Sequence, residues 1–393
     1  MTALLPPLRL TGATILRGGV LQKRSLVIAD GVITKGPLPQ VDMSGYLILP
    51  GIIDLHGDAF ERQVAPRPSA RLPLEAALRA TDREAATHGI TTAWLAQGWS
   101  WEGGLRSPDF AEEMMRALDD YRPHALTDLR LQIRCETHMP ETRARLVAAI
   151  RRHGIDYVVF NDHLDATLQL AETAPHRVAE QAERGDRSVP EYHAALATAR
   201  AARREVPRHL CALAEVFDTL DLRYGSHDDP DAETREYYRL IGARIAEFPL
   251  TVAAAKLARA CNDPVLMGAP NVVRGGSQAG NVSALTLVAQ GLCDVLVSDY
   301  HYPCLARAAW VLVDRGLKTL PEAWEMISKV PAEVMGLADR GTLDHGKRSD
   351  FVVVNAATRE IEATVSGGRL SYLAGDAGAR LVGAITGPRL AAE

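Results

Sequence analysis

The chain is poor in the features that mark several large protein classes. Aromatic residues make up only 5% of its 393 residues, too few for a surface that stacks nucleic-acid bases. Positive charge is not in excess. Lys and Arg number 44 against 49 Asp and Glu, a net charge of -5, so no global basic field exists to hold nucleic acid. No apolar run approaches the length of a membrane span. A basic stretch followed by a long apolar one is missing from the N-terminus, so no signal peptide is expected. Cysteine is sparse. Cys135, Cys211, Cys261, Cys293 and Cys304 form no CxxC pair, and four of them lie in or near apolar runs, where reduced thiols are the default. The expectation is a cytoplasmic protein with neither a nucleic-acid nor a membrane partner.

Both ends of the chain share a short-strand texture. Arg17-Gly18-Gly19 and Asp30-Gly31 punctuate Leu8 to Ile33, and Asp-Gly between apolar runs is a strong hairpin signal. Near the other end Phe351-Val352-Val353-Val354 reads as a strand. Ile361 to Tyr372 holds another, with Gly367-Gly368 as a turn. The two ends predict a small second domain. Between them, strands at Thr91 to Ala96, Leu131 to Cys135, Tyr157 to Phe160, Val265 to Met267 and Val295 to Val297 alternate with helical stretches. The helices are Leu74 to His88, Arg143 to Arg152, Glu191 to Arg204 and Pro321 to Val330. This alternation predicts βαβ units on a parallel sheet, and eight units closed as a (β/α)8 TIM barrel fit the length. The charged, helix-like stretch from Glu172 to Arg208 reads as an insertion covering the barrel mouth or a partner chain.

The apolar run from Tyr46 to Asp54 reads as one strand buried on both faces. His56 and Asp58 stand at its end, two residues apart and so on one side. Nitrogen and oxygen donors on a rigid strand end suit a divalent metal. Similar groups close other apolar strands: Glu136, His163, His227 and Asp299. In a barrel all strand C-termini face one mouth, so His56, Asp58, Glu136, His163, His227 and Asp299 are expected to converge there as metal ligands. His138 competes as a ligand, and Asp162 is placed to orient an imidazole from behind. Glu61 is expected to pair with an arginine such as Arg62 or Arg67. Whether His163 and His227 close the fourth and fifth or the fifth and sixth strands is open.

These motifs together resemble a known family. Pro50-Gly51-Ile52-Ile53-Asp54-Leu55-His56, Gly89-Ile90-Thr91-Thr92 and the segment from Gly341-Thr342-Leu343 to Gly346-Lys347-Arg348-Ser349-Asp350 resemble the amidohydrolase superfamily. The resemblance implies a distorted (β/α)8 barrel over 51–341. It also implies a small β-sandwich formed by 1–50 and 342–393, and metal-dependent hydrolysis. His56-x-Asp58 departs from the usual His-x-His. That departure, with Arg134-Cys135-Glu136, Asp162-His163, Ser226-His227-Asp228-Asp229, Ala246-Glu247-Phe248-Pro249, Asn271 to Ser277 and Ser298-Asp299-Tyr300, resembles one branch. Its members hydrolyse a phosphonate-bearing ribose triphosphate and release pyrophosphate, in the carbon–phosphorus lyase pathway. Three segments differ from that branch: Gln278-Ala279-Gly280-Asn281, the inserted His301, and Ala59 to Gln63. The first-strand loop and the glycine-rich loop are both expected to contact substrate. The competing expectation is another hydrolase of the superfamily, acting on an amide, cyclic amide or deaminable ring.

One or two divalent ions are expected, zinc first, with manganese, iron or nickel open. Asp299 is the expected general base, and Glu136 the expected bridge if there are two ions. For the phosphorylated substrate, Arg274 offers a planar fork. Gly275 and Gly276 let backbone amides approach an anion, and Asn271 and Ser277 stand beside them. Arg67 adds a second cation, and Asp228 orients His227 or binds a sugar hydroxyl. The helical insertion leads to the expectation of a homo-oligomer.

Overall fold

The computed structural model describes residues 4–67 and 70–386. The end of the expected small domain (387–393), the first three residues and Pro68 beside Arg67 lie outside the described residues. Eight parallel strands run in sequence order around a barrel: β1 (Ile52–Gly57), β2 (Ile90–Trp99), β3 (Asp128–Glu136), β4 (Tyr157–Asn161), β5 (Arg223–His227), β6 (Ile245–Glu247), β7 (Val265–Gly268) and β8 (Val295–Val297). Helices follow the strands and cover them, so every residue of β2 and β4 is buried, as strands walled on both faces must be. Ile53, Leu55, Trp94, Tyr157, Val159, Leu266 and Val297 fill the interior. Among the described residues no helix is long and apolar enough to cross a membrane.

The barrel is nearly closed, and where it closes matters. β8 bridges β1 at the mouth, between Gly57 and Asp299. Asp299 N–H donates to His56 O and Asp58 N–H donates to Asp299 O, each at 2.9 Å. Lower in the seam Ile53 N–H donates to Ile327 O (2.8 Å) and Leu296 N–H to Met326 O (3.1 Å). The chain around Ile327 therefore wedges between β8 and β1 and distorts the barrel. The same wedge corrects an expected element. The helix over Pro321 to Val330 is two short ones, Leu320–Glu325 and Lys329–Val334, because the turn between them pairs with barrel strands.

A second correction concerns the first strand. Tyr46 to Asp54 does not form one strand. Tyr46–Pro50 pairs with Phe351–Asn355 in the terminal domain, and β1 begins at Ile52. Gly51 is the break: a Cβ there would lie 2.4 Å from Thr91 Oγ1. The terminal domain packs a four-stranded sheet from Leu8 to Asp42 on a six-stranded sheet drawn from both chain ends. Leu10, Ile28, Ile48, Phe351 and Val365 lie in the core between them. Leu26–Ala29 and Val32–Thr34 form the hairpin that Asp30-Gly31 announces. Both turn residues have left-handed φ, 52° and 77°, as a type I′ turn requires.

The insertion after β4 is four helices, Leu164–Thr173, Pro175–Arg184, Val189–Ala201 and Val206–Thr219. It lies on the loop that leaves β2, through Arg187 to Trp101 O and the Trp101–Tyr192 ring contact. Cys135, Cys293 and Cys304 are buried, and Cys211 is exposed.

Candidate metal centre

His56 owes its place to an irregularity. Ile53 and Leu55 face the barrel interior, so strict alternation would turn His56 toward the helices. A register shift between Asp54 and Gly57 carries it inward instead, as a bulge re-aims a side chain. Its Nδ1 lies 2.9 Å from Glu247 Oε2. Asp54, left in the seam, accepts from Ser298 Oγ at 2.5 Å and from Ser298 N–H at 2.9 Å. Burial pushes Asp54 up to about 7, against the lowering effect of Ser298 and His56. This latch holds β8 against β1 directly below Asp299.

The backbone pairing at the mouth brings donors from β1 and β8 together. Donor atoms of His56, Asp58 and Asp299 all lie within 4.8 Å of one another, and so do those of His56, His227 and Glu247. His56 belongs to both groups. The strand-end residues Asp228, Phe248 and Asp299 adopt left-handed φ of 61°, 51° and 56°, a costly backbone state that clusters at functional sites. Phe248 sets its ring edge-on to both imidazoles, at 5.0 Å from each. Burial pushes Asp299 up to about 6. His56 opposes that shift, while Asp58 adds to it.

Glu136 and His163 form a neighbouring cluster. His163 follows β4 and His227 ends β5, which settles their strand numbers as fourth and fifth. Glu136 Oε1 lies 2.6 Å from His163 Nδ1. Asp228 Oδ2 lies 3.9 Å from His163 Nε2 and 3.1 Å from His227 Nδ1. Although burial lowers its pKa, Glu136 and Asp228 raise His163 to about 10. Asp228 thus joins the two clusters. His138 Nδ1 is spent on Thr137 Oγ1 (3.1 Å) and faces Asp162 Oδ1 (3.5 Å).

The donor set fits a divalent cation. His227 is buried, and neither ring nitrogen makes a hydrogen bond of good geometry, although Asp228 and Glu247 stand near them. A buried imidazole left this way is costly unless something else takes its lone pair. Two imidazoles with Asp58 and Asp299 supply the nitrogen and oxygen donors that zinc, manganese, iron or nickel accept.

A cavity of about 300 Å³ opens onto this centre, lined among others by Arg134, Asp228, Arg274 and Ser277. Here the glycine expectation needs correction. Gly275 ends the helix Ala269–Arg274 with φ 84°. Gly275 N–H donates to Val272 O and Gly276 N–H donates to Asn271 O, the Schellman arrangement. These amides close a helix and do not cradle an anion. Asn271 Oδ1 accepts from Ala284 N–H at 3.0 Å. Arg274 is exposed, with Nη1 donating to Gln278 Oε1 at 2.9 Å. Arg67 lines a separate cavity between the first loop and the insertion. Glu61 pairs with Arg106 (3.8 Å), while Arg62 pairs with Glu84.

Glu247 and Arg134 stand in segments that carry the family resemblance, but their own roles were not legible there. Glu247 closes β6, which is only three residues long and gives almost no periodic signal. Arg134 shares the inward face of β3 with Gln132 and Glu136, but a cation among ligands is not what a metal pattern seeks.

No family model matches the chain. Alpha-D-ribose 1-methylphosphonate 5-triphosphate diphosphatase of Escherichia coli (strain K12) is 33% identical to it over 352 residues, 86% of this chain and 92% of that protein. Among solved structures, a putative prolidase from Bifidobacterium longum superposes with a TM-score of 0.62 at 15% identity, covering 97% of this chain and 100% of that chain. N-acetylglucosamine-6-phosphate deacetylase from Pasteurella multocida gives 0.61 at 11% identity, covering 93% and 99%. N-acyl-D-glutamate deacylase from Bordetella bronchiseptica, complexed with zinc and a phosphonate inhibitor, gives 0.55 at 16% identity, covering 93% and 96%. These likenesses show the barrel-and-sandwich fold. With the 33% identity along most of both chains, this chain belongs to the alpha-D-ribose 1-methylphosphonate 5-triphosphate diphosphatase family.

Proposed function

We propose that the protein hydrolyses the triphosphate of alpha-D-ribose 1-methylphosphonate 5-triphosphate, adding water across the α–β anhydride to give the 5-phosphate and pyrophosphate. The observation that carries this reading is the convergence of His56, Asp58 and Asp299 donors within 4.8 Å at the mouth, in a chain 33% identical to the named diphosphatase. His56, Asp58, His227 and Asp299 would hold a divalent ion, with Glu247 behind His56 and Glu136–His163 beside them. Such an ion acidifies a water and polarises a phosphoryl oxygen. Asp299, pinned by backbone hydrogen bonds to His56 and Asp58, takes the attacking water's proton. Arg274, at the rim of the cavity, neutralises the distal phosphates. Asp228 holds His227 and His163 in place.

The test is direct. Recombinant protein loaded with zinc or manganese should release pyrophosphate from this ribose triphosphate, and fully metallated protein that releases none would defeat the reading. The second reading, an amide or cyclic-amide hydrolase, is favoured by one observation: the Gly275 and Gly276 amides are spent on their own helix and give no anion cradle. A panel of N-acyl amino acids and lactams separates the two.

A further inference from the structure

Arg134 stands where a centre built for cations has no ordinary need of one. Its side chain is only 14% exposed, and Nη1 lies 4.0 Å from Asp58 Oδ2. With its amide oxygen turned to the guanidinium, Asn161 accepts from Nη2 at 3.1 Å and from Nε at 3.3 Å. Asn161 ends β4, so the fork is fixed from behind. Among the described residues no hydrogen bond is found for Nη1, and Arg134 lines the cavity that His56, Asp58, His227 and Asp299 also line. Glu136, two residues further along β3, and its partner His163 stand near it. The charge of Arg134 is felt across both clusters, at His56, His227 and Asp299 and at His163 and Asp228. The residue therefore lies close to both groups of acids and imidazoles, which would otherwise suit two ions. A permanent guanidinium there repels a second divalent cation at short range. Its planar donors also match phosphoryl oxygens.

We propose that Arg134 is the built-in second cation of this centre: the protein holds one divalent ion per chain, on His56, Asp58, His227 and Asp299, and Arg134 binds a phosphoryl oxygen of the substrate opposite it. The proposal rests on the metal-dependent phosphoanhydride reading and narrows it. Glu136 and His163 then serve each other and Asp228 as an ion-paired wall, and bridge no second metal. The positive charge that a second ion would supply comes from a side chain that cannot be lost to a chelator.

Two measurements test this without using turnover. Protein stripped with chelator, reloaded with excess zinc and desalted is assayed for zinc by elemental analysis. Inorganic phosphate binding to the same protein is followed by calorimetry. The wild type should hold one zinc per chain. Arg134→Met, similar in bulk and without charge, should keep its zinc or take up a second, because a neighbouring positive charge is gone. It should bind phosphate about 10- to 100-fold more weakly, as expected for loss of a charged pair of contacts. Arg134→Lys should keep one zinc and recover part of the phosphate affinity, and it carries the test if the Met variant does not fold. Two zinc ions in the wild type, loss of zinc from Arg134→Met, or unchanged phosphate affinity would each overturn the proposal. If the ribose triphosphate is not hydrolysed while these results hold, the substrate assignment fails and the role of Arg134 stands.

Discussion

Replacing Glu247 by glutamine tests how the centre is held from behind. The carboxylate is fully buried. Oε2 lies 2.9 Å from His56 Nδ1, and Oε1 accepts from Gln132 Nε2 at 2.8 Å and from Tyr157 OH at 3.2 Å. Burial alone would protonate it, but His56, then His227 and Gln132, hold its pKa below the usual range. An ionised Glu247 accepts the Nδ1–H proton of His56 and leaves Nε2 as the donor for a cation. Glutamine keeps the shape and changes that logic. Its oxygen can still satisfy Gln132 and Tyr157, but its amide NH2 then faces Nδ1. The imidazole must shift its proton to Nε2, the atom the cation needs. Second-layer losses of this kind cost about 10- to 100-fold in metal affinity, roughly 1.4–2.7 kcal/mol. Stability of the metal-free protein should fall by about 2 kcal/mol. That is less than the about 3–5 kcal/mol for removing one partner of a buried ion pair outright, because two of the three hydrogen bonds survive. Competition with a chromophoric chelator reads the first quantity and urea unfolding the second. A variant that binds zinc as tightly as the wild type would refute the tautomer lock.

Three further outcomes are expected. Asp299→Asn should lower kcat by about 10²–10⁴-fold while elemental analysis finds most of the metal retained; if metal and turnover vanish together, Asp299 is chiefly a ligand. Arg274→Ala should raise KM for the triphosphate about tenfold without changing metal content, and an unaltered KM removes Arg274 from substrate binding. His209 is buried, and burial, with Arg143 nearby, lowers its pKa to about 4. Between pH 6.5 and 4 the unfolded chain binds the proton that the folded chain refuses, so stability is lost as pH falls through that window, by about 3 kcal/mol at most. His209→Leu should flatten this dependence in urea titrations at pH 7 and pH 4.5; an unchanged slope would show that other groups set it.

Strand–helix alternation, the two β-rich ends and the turns at Asp30-Gly31 and Gly367-Gly368 were legible in the residues alone, because period and turn chemistry are local properties. The same holds for the principle that places His56, Asp58, His227 and Asp299 at one mouth: parallel strands in a barrel all end on one side. Tertiary structure decided the rest. Alternation in β1 would aim His56 outward, and only the register shift beside β2 turns it in. Gly275 and Gly276 look like an anion nest until their amides are seen closing a helix. Glu247 lies on a strand too short to announce itself, and Arg134 gains meaning only from the two clusters it stands near, one from β1 and β8, the other from β3 and β4. Residues far apart in sequence acquire their charges, tautomers and partners from packing, which no linear pattern encodes.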